Sequence, residues 1–275
     1  MINELHELSR MNKKDLKSKL DELYRRNNTE EFIESDPVQF VHQYRSRNDR
    51  EIAAFLTATI AWGRRDLIIK SAEKMFSLMG KGPYDYIMKG NYHNLRVREP
   101  AINTSIHRTF FEEDLRYFCR GLRACYEHYG NLEKLFASAP DLWEGIGLFR
   151  EVIAGANSSG KPDSPEYSPV YSKHIANPAS ASACKRLFLA LRWLVRREGP
   201  VDLGLWKGIS PSSLYIPLDL HVGRVAREFG LLDKNPKANN KKAVISLTEK
   251  LRELCPEDPV KYDLALFGLG IEQSK

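Results

Sequence analysis

Apolar residues recur along most of this chain at three- and four-residue intervals, the spacing of helices with one buried face. Residues 13–26 carry Leu16, Leu20 and Leu23 among charges and predict an amphipathic helix lying over the rest. Ser35-Asp36-Pro37 reads as a helix start, with Pro in the first turn where a missing N–H costs nothing, and Phe40, Val41 and Tyr44 supply its apolar face. Residues 50–62 are apolar on nearly all sides, which predicts a helix buried within the domain and ended by Gly63. Arg64 to Met79 repeats Leu67, Ile68, Ala72, Met75, Phe76 and Met79 and closes at Gly80. Further helices are predicted at about 112–129, 140–153, 179–197, 220–229, 239–253 and 257–268. No alternating run is long enough for a sheet, and no solenoid repeat is present. The pattern predicts an all-α fold of two helical lobes with a cleft between them. Residues 50–154 form the first lobe and 1–49 plus 179–275 the second; the Ser/Pro/Gly-rich stretch 155–178 is expected to be a long mobile loop marking a boundary or lid.

Composition narrows the class. With 42% hydrophobic and 28% charged residues over 275 positions the chain reads as globular, with enough apolar residues for a sizeable core. No apolar run approaches the roughly 20 residues of a membrane span, and the opening residues lack an apolar signal core, so no membrane and a cytoplasmic location are expected. Cys119, Cys125, Cys184 and Cys255 form no CxxC pair and have no histidine at zinc spacing; reduced thiols are expected, with no metal and no cofactor. The net charge of +6 is compatible with a polyanionic partner. Lys185, Arg186, Arg192, Arg196 and Arg197 fall on one predicted helix, equally the signature of such a surface and of a solvated helix face.

Chemistry concentrates at Asp219, which follows Pro217-Leu218 at the mouth of a predicted helix. An aspartate there is first of all a helix cap, accepting from a first-turn N–H. The same setting suits a carboxylate that must stay ionised near developing positive charge. Lys185 opens the 179–197 helix after small capping residues. The helix dipole and Arg186 both oppose an added charge there, so a neutral amine nucleophile is one reading and a solvated cation the plain one. The residues 184, 187, 188, 191, 194 and 195 form that helix's apolar stripe. Trp62, Trp193, Trp206 and Tyr215 are each read as packing before base stacking, and His174 as a surface histidine.

The segment Asp219-Leu220-His221-Val222-Gly223-Arg224-Val225 resembles the Asp-x-His-x-x-Arg-Val segment of the helix-hairpin-helix DNA glycosylases. The block Lys185 to Arg192 is similar to the lysine helix of their archaeal 8-oxoguanine branch, with the lysine 34 positions before the aspartate. Glu51 to Ile60 with Arg64 to Met79 resembles the paired helices opening that core, and Tyr262 to Gly270 its closing helix with a terminal Leu-Gly. Most of the chain also resembles a bacterial family known only as a domain of unknown function. The Leu-Pro-Gly-Val-Gly hairpin that grips a DNA phosphate in the superfamily is absent before Lys185. No cysteine follows Cys255, so no iron–sulfur cluster is expected, and Trp62-Gly63-Arg64-Arg65 stands where glycosylases often carry a gap-filling Gln.

The resemblance implies a two-lobed glycosylase-like fold and DNA repair by excision of a damaged purine. In that reading Lys185 is the nucleophile of a glycosylase with AP lyase activity and Asp219 the carboxylate that stabilises the sugar cation. Arg64, Arg65, Arg186, His221 and Arg224 are the expected nucleic-acid-binding residues, and DNA the partner. The alternatives are a non-catalytic nucleic-acid-binding protein on the same fold, or an enzyme of that scaffold acting on RNA or a nucleoside.

Overall fold

The computed structural model describes residues 11–97, 104–160, 164, 166–234 and 238–273. These residues are all-α apart from one short ribbon. The chain divides into two compact units: Ser35–Asn177, and Met1–Glu34 together with Pro178–Lys275. Residues 35–49, expected beside the second lobe, thus group with 50–154, as does nearly all of the 155–178 stretch. No described helix is long and apolar enough to cross a membrane.

The chain opens with α1 (Lys13–Asn27), which starts where the Asn12 side chain accepts from the Asp15 N–H at 3.0 Å, and α2 (Glu30–Ser35). It then builds the Ser35–Asn177 unit from α3 (Gln39–His42), α4 (Arg47–Thr59), α5 (Arg65–Met79), α6 (Pro83–Met88), strands β1 (Ser105–His107) and β2 (Phe110–Phe111), α7 (Glu112–Tyr129), α8 (Leu132–Ala137) and α9 (Leu142–Gly155). It returns to the unit that contains α1 through α10 (Lys185–Val195), α11 (Leu220–Glu228), α12 (Lys241–Leu254) and α13 (Tyr262–Glu272). The expected start at Ser35-Asp36-Pro37 is a turn between α2 and α3, capped where Asp36 accepts from the Val38 N–H.

In Ser35–Asn177, α4 is buried over its whole run from Glu51 to Thr59, as its all-round apolar sequence predicts. Glu51 is the exception in chemistry: its carboxylate, fully enclosed, accepts from the Tyr126 hydroxyl at 2.9 Å and the Leu132 N–H at 3.0 Å and pairs with Arg47. One buried carboxylate thereby joins α4, α7 and α8 with its acceptor sites satisfied. Two expectations are corrected here. A two-stranded antiparallel ribbon, β1 with β2, exists although no long alternating run announces it, because two or three residues per strand are too few to show a period. His174 is buried rather than at the surface, its ring stacked 5.6 Å from Trp62. The described end of the 155–178 stretch is tied down as well, with the Tyr117 hydroxyl donating to the Val170 carbonyl and the Val170 N–H to Ala154.

In the other unit α13 packs on α1 and α11. The stripe expected on α10 is buried at every position, Cys184, Leu187, Phe188, Leu191, Leu194 and Val195. Two of the basic residues expected on that helix are not a surface, however, although Arg197 is exposed. Arg192 is 2% exposed and Arg196 0%, and they are paired with Asp202, Asp258 and Asp263. Enclosed guanidinium groups persist only when carboxylates neutralise them; Asp202 comes from the turn just after the helix, while Asp258 and Asp263 lie far away in sequence. The helix also starts at Lys185 rather than 179. The Ser180 hydroxyl accepts from the Ser182 N–H and the Ser182 hydroxyl from the Cys184 N–H, local bonds that compete with helix formation. Cys119, Cys125 and Cys184 are buried thiols, and Cys255 is half-buried.

Candidate lysine and aspartate site

Cys184 adopts a left-handed conformation, φ 46°, and its carbonyl accepts the first helical N–H bonds from Leu187 and Phe188. Lys185 therefore occupies the first position of α10, with Leu187 and Phe188 anchoring the turn in the core. Asp219 is the N-cap of α11: one carboxylate oxygen accepts from the Val222 N–H at 2.8 Å. Its approach is fixed from behind by buried Ile216, Pro217 and Leu218, with the Ile216 N–H donating to Thr248 Oγ1 on α12. The Asn239 amide donates to the Asp219 carbonyl at 2.6 Å, and Arg227 donates to the Asn239 oxygen at 3.0 Å.

The second oxygen of Asp219 lies 3.3 Å from Lys185 Nζ. The lysine side chain is 32% exposed and the aspartate 13%, so the pair is sheltered yet reachable from solvent. Beside it Leu220, the first residue of α11, is 82% exposed, unusual for a large apolar side chain and silent in any periodic reading.

Behind the pair stands a chain of alternating charges: Asp263 with Arg192, Arg192 with Asp202, Asp202 with Arg196, Arg196 with Asp258. Burial, above all, pushes the Asp263 carboxyl up to about 6, with Asp219 adding to the shift and Arg192 opposing it. The two carboxylates therefore feel one another, and Asp263 links the Lys185–Asp219 pair to the buried arginines. Sequence reasoning missed the three aspartates. A signal was present in Arg192 and Arg196, spaced i, i+4 on a helix whose other positions are largely apolar.

The remaining expected site residues take varied places. Arg186 is half-buried, and burial lowers its guanidinium from the ordinary value. His221 is half-buried with its ring edge-on to Phe267 at 6.3 Å, and Arg224 donates to the Gly270 carbonyl at 2.6 Å, so both meet α13. Arg64 and Arg65 belong to the Ser35–Asn177 unit, where Arg64 pairs with exposed Asp66 and Arg65 lies 3.6 Å from Asp36. Trp193 and Trp206 are core residues, and Tyr215 packs 5.5 Å from Phe188.

A primary amine beside a carboxylate can attack an electrophilic carbon while the carboxylate stabilises a neighbouring cation. No curated protein and no solved structure matches the chain. Residues 36–272 match a family described as a protein of unknown function, DUF2400, a span that includes both Lys185 and Asp219. The chain belongs to the DUF2400 family.

Proposed function

We propose that the chain is a DNA base-excision glycosylase with AP lyase activity acting on a damaged purine. The observation that carries this reading is the 3.3 Å approach of Lys185 Nζ to Asp219, two residues 34 positions apart. The resemblance of both segments to the helix-hairpin-helix glycosylases supplies the substrate class. In this scheme the nucleotide leaves the stack. The Lys185 amine attacks the sugar carbon bearing the base, and the bond to the base breaks with its electron pair leaving on the base, which takes up a proton. The ring then opens as the bond from that carbon to the ring oxygen breaks with its electron pair on the oxygen, which takes up a proton; the amine nitrogen, having released one proton for the base and one for the ring oxygen, is left as the Schiff base. Asp219 lowers the energy of the sugar cation formed as that bond breaks.

A non-catalytic nucleic-acid-binding role is favoured by one feature, the service of Asp219 as a helix cap. One experiment separates the two. Duplexes carrying 8-oxoguanine, uracil or an abasic site are incubated with the protein and borohydride. The proposal expects a covalent adduct that disappears in Lys185→Ala. DNA binding with neither adduct nor base release across the lesion panel sinks it in favour of the binding role.

A further inference from the structure

A cavity of about 320 Å³ opens between α5 and the β1–β2 turn, both within Ser35–Asn177. Lys70 and Lys74, one helical turn apart, and Arg108 at the tip of the ribbon bring three positive charges to it, and Leu67 and Ile106 give it an apolar wall. Among the described residues none of the three cations pairs with a carboxylate. Lys74 Nζ donates to the Ser105 carbonyl at 2.8 Å, while among the described residues the side chains of Lys70 and Arg108 have no hydrogen-bond or ion-pair partner. Like charges gathered without a counter-charge repel one another, and a bound anion removes that repulsion.

The walls are held in register. Ser71 Oγ lies 2.9 Å from His107 Nδ1, and His107 Nε2 lies 2.9 Å from the Trp62 carbonyl. A carbonyl only accepts, so Nε2 carries the ring hydrogen, while the single hydrogen of the Ser71 hydroxyl is shared between the Leu67 carbonyl at 2.7 Å and Nδ1. Burial, with Arg108 adding to it, keeps His107 below the usual imidazole value and so favours this neutral form.

Arg108 itself is the second observation. Its φ is 50°, at the first central position of a two-residue hairpin turn, where glycine is the easier occupant. Its guanidinium lies over Gly63, where an added Cβ would come within 2.6 Å of Nη2. The turn does not call for an arginine, and the bare backbone at Gly63 gives the guanidinium its place. An arginine lining the same cavity as two lysines is the set of residue types whose donors phosphate oxygens accept from.

We propose that this cavity binds a phosphate ester, with the phosphate among Lys70, Lys74 and Arg108 and the organic part on Leu67 and Ile106. The ester is either a free nucleotide or a phosphodiester of a nucleic-acid strand. The site stands apart from the base-excision reading: trapping at Lys185 can fail while phosphate binding persists, and the reverse.

The test measures, on the full chain at low salt, the affinity for dGMP and for a single-stranded oligodeoxynucleotide, in the wild type and in Lys70→Gln/Arg108→Gly. Glycine removes the left-handed strain, so the variant is expected to keep its thermal midpoint, which an arginine of merely structural use would not allow. Affinity is expected to fall about tenfold or more for at least one probe, and for the oligonucleotide the salt dependence to become shallower by about one contact. Loss confined to dGMP assigns a nucleotide, loss confined to the oligonucleotide assigns a strand, and loss of both supports the ester alone. Should the double variant melt early, Lys70→Gln, at an exposed position, is read in its place. A wild type that binds neither probe, or variants that bind both as the wild type does, overturns the proposal.

Discussion

Asp219 gives one oxygen to the α11 cap and the other to Lys185, and substitutions separate the two uses. Asparagine caps as well as aspartate does, whereas alanine removes the cap at a cost of about 1 kcal/mol. Asp219→Asn is therefore expected to melt close to wild type but to lose most base release per folded molecule, while Asp219→Ala loses both; equal activity in Asp219→Asn and wild type would make the residue a cap alone. Asp263 carries a pH dependence. Its carboxyl is raised to about 6 in the folded chain, above an unfolded value of about 3.9. A raised value means the proton is held more tightly when folded, so the contribution to stability is complete below the unfolded value and is lost as pH rises through about 6. Denaturant titrations should show the stability difference between wild type and Asp263→Asn falling from pH 4 to 6 and levelling above it. A pH-independent difference would contradict the assignment. Asp219 was legible in the sequence because Pro217 and the apolar run after it mark a helix start; Lys185 was placed near the start of its helix, though six residues further in than it lies. Asp202, Asp258 and Asp263 were not legible, since what makes them necessary is the burial of Arg192 and Arg196, a property of the folded core.

Close contact with neighbouring helices explains the glycines in the last two turns of α13. A Cβ at Gly270 would come within 2.8 Å of His221 Cβ, and one at Gly268 within 2.2 Å of the Asn27 side chain, on α11 and α1 respectively. His221 Cβ sits on its helix backbone and cannot rotate away, so Gly270→Ala is expected to destabilise by about 1–3 kcal/mol, seen as a lower denaturant midpoint. An unchanged midpoint would mean the two helices can part at no cost. The long helices α4, α5, α7, α9, α11 and α12 follow the periodic apolar pattern closely, because a buried face is encoded locally, whereas α6 and α8, six residues each, are too short to show a period and were not expected. What the pattern hid was conditional on neighbours: the start of α10, displaced by serine side-chain bonds, and the β1–β2 ribbon, held against α5. His174 escaped for the same reason. Nothing near it in sequence announces that Trp62 and Phe110 will enclose it.

At the scale of the molecule one unit is continuous and the other is assembled from two segments. Residues 35–177 expressed alone are expected to unfold cooperatively by circular dichroism. Residues 178–275 alone are not, because α1 brings buried Leu20 and Leu23 to α13 and a Tyr24 hydroxyl that meets Arg196 at 3.2 Å. Adding the 1–34 peptide should restore a transition, and a cooperative melt without it would refute the dependence. The pairing of α1 with α13 also sets a timetable. On a ribosome the middle segment can close its core as it emerges, whereas α1, made among the first helices, has to wait with its apolar face uncovered until α13, the last helix described, has been synthesised. That interval makes α1 the segment most in need of a chaperone's shelter during synthesis.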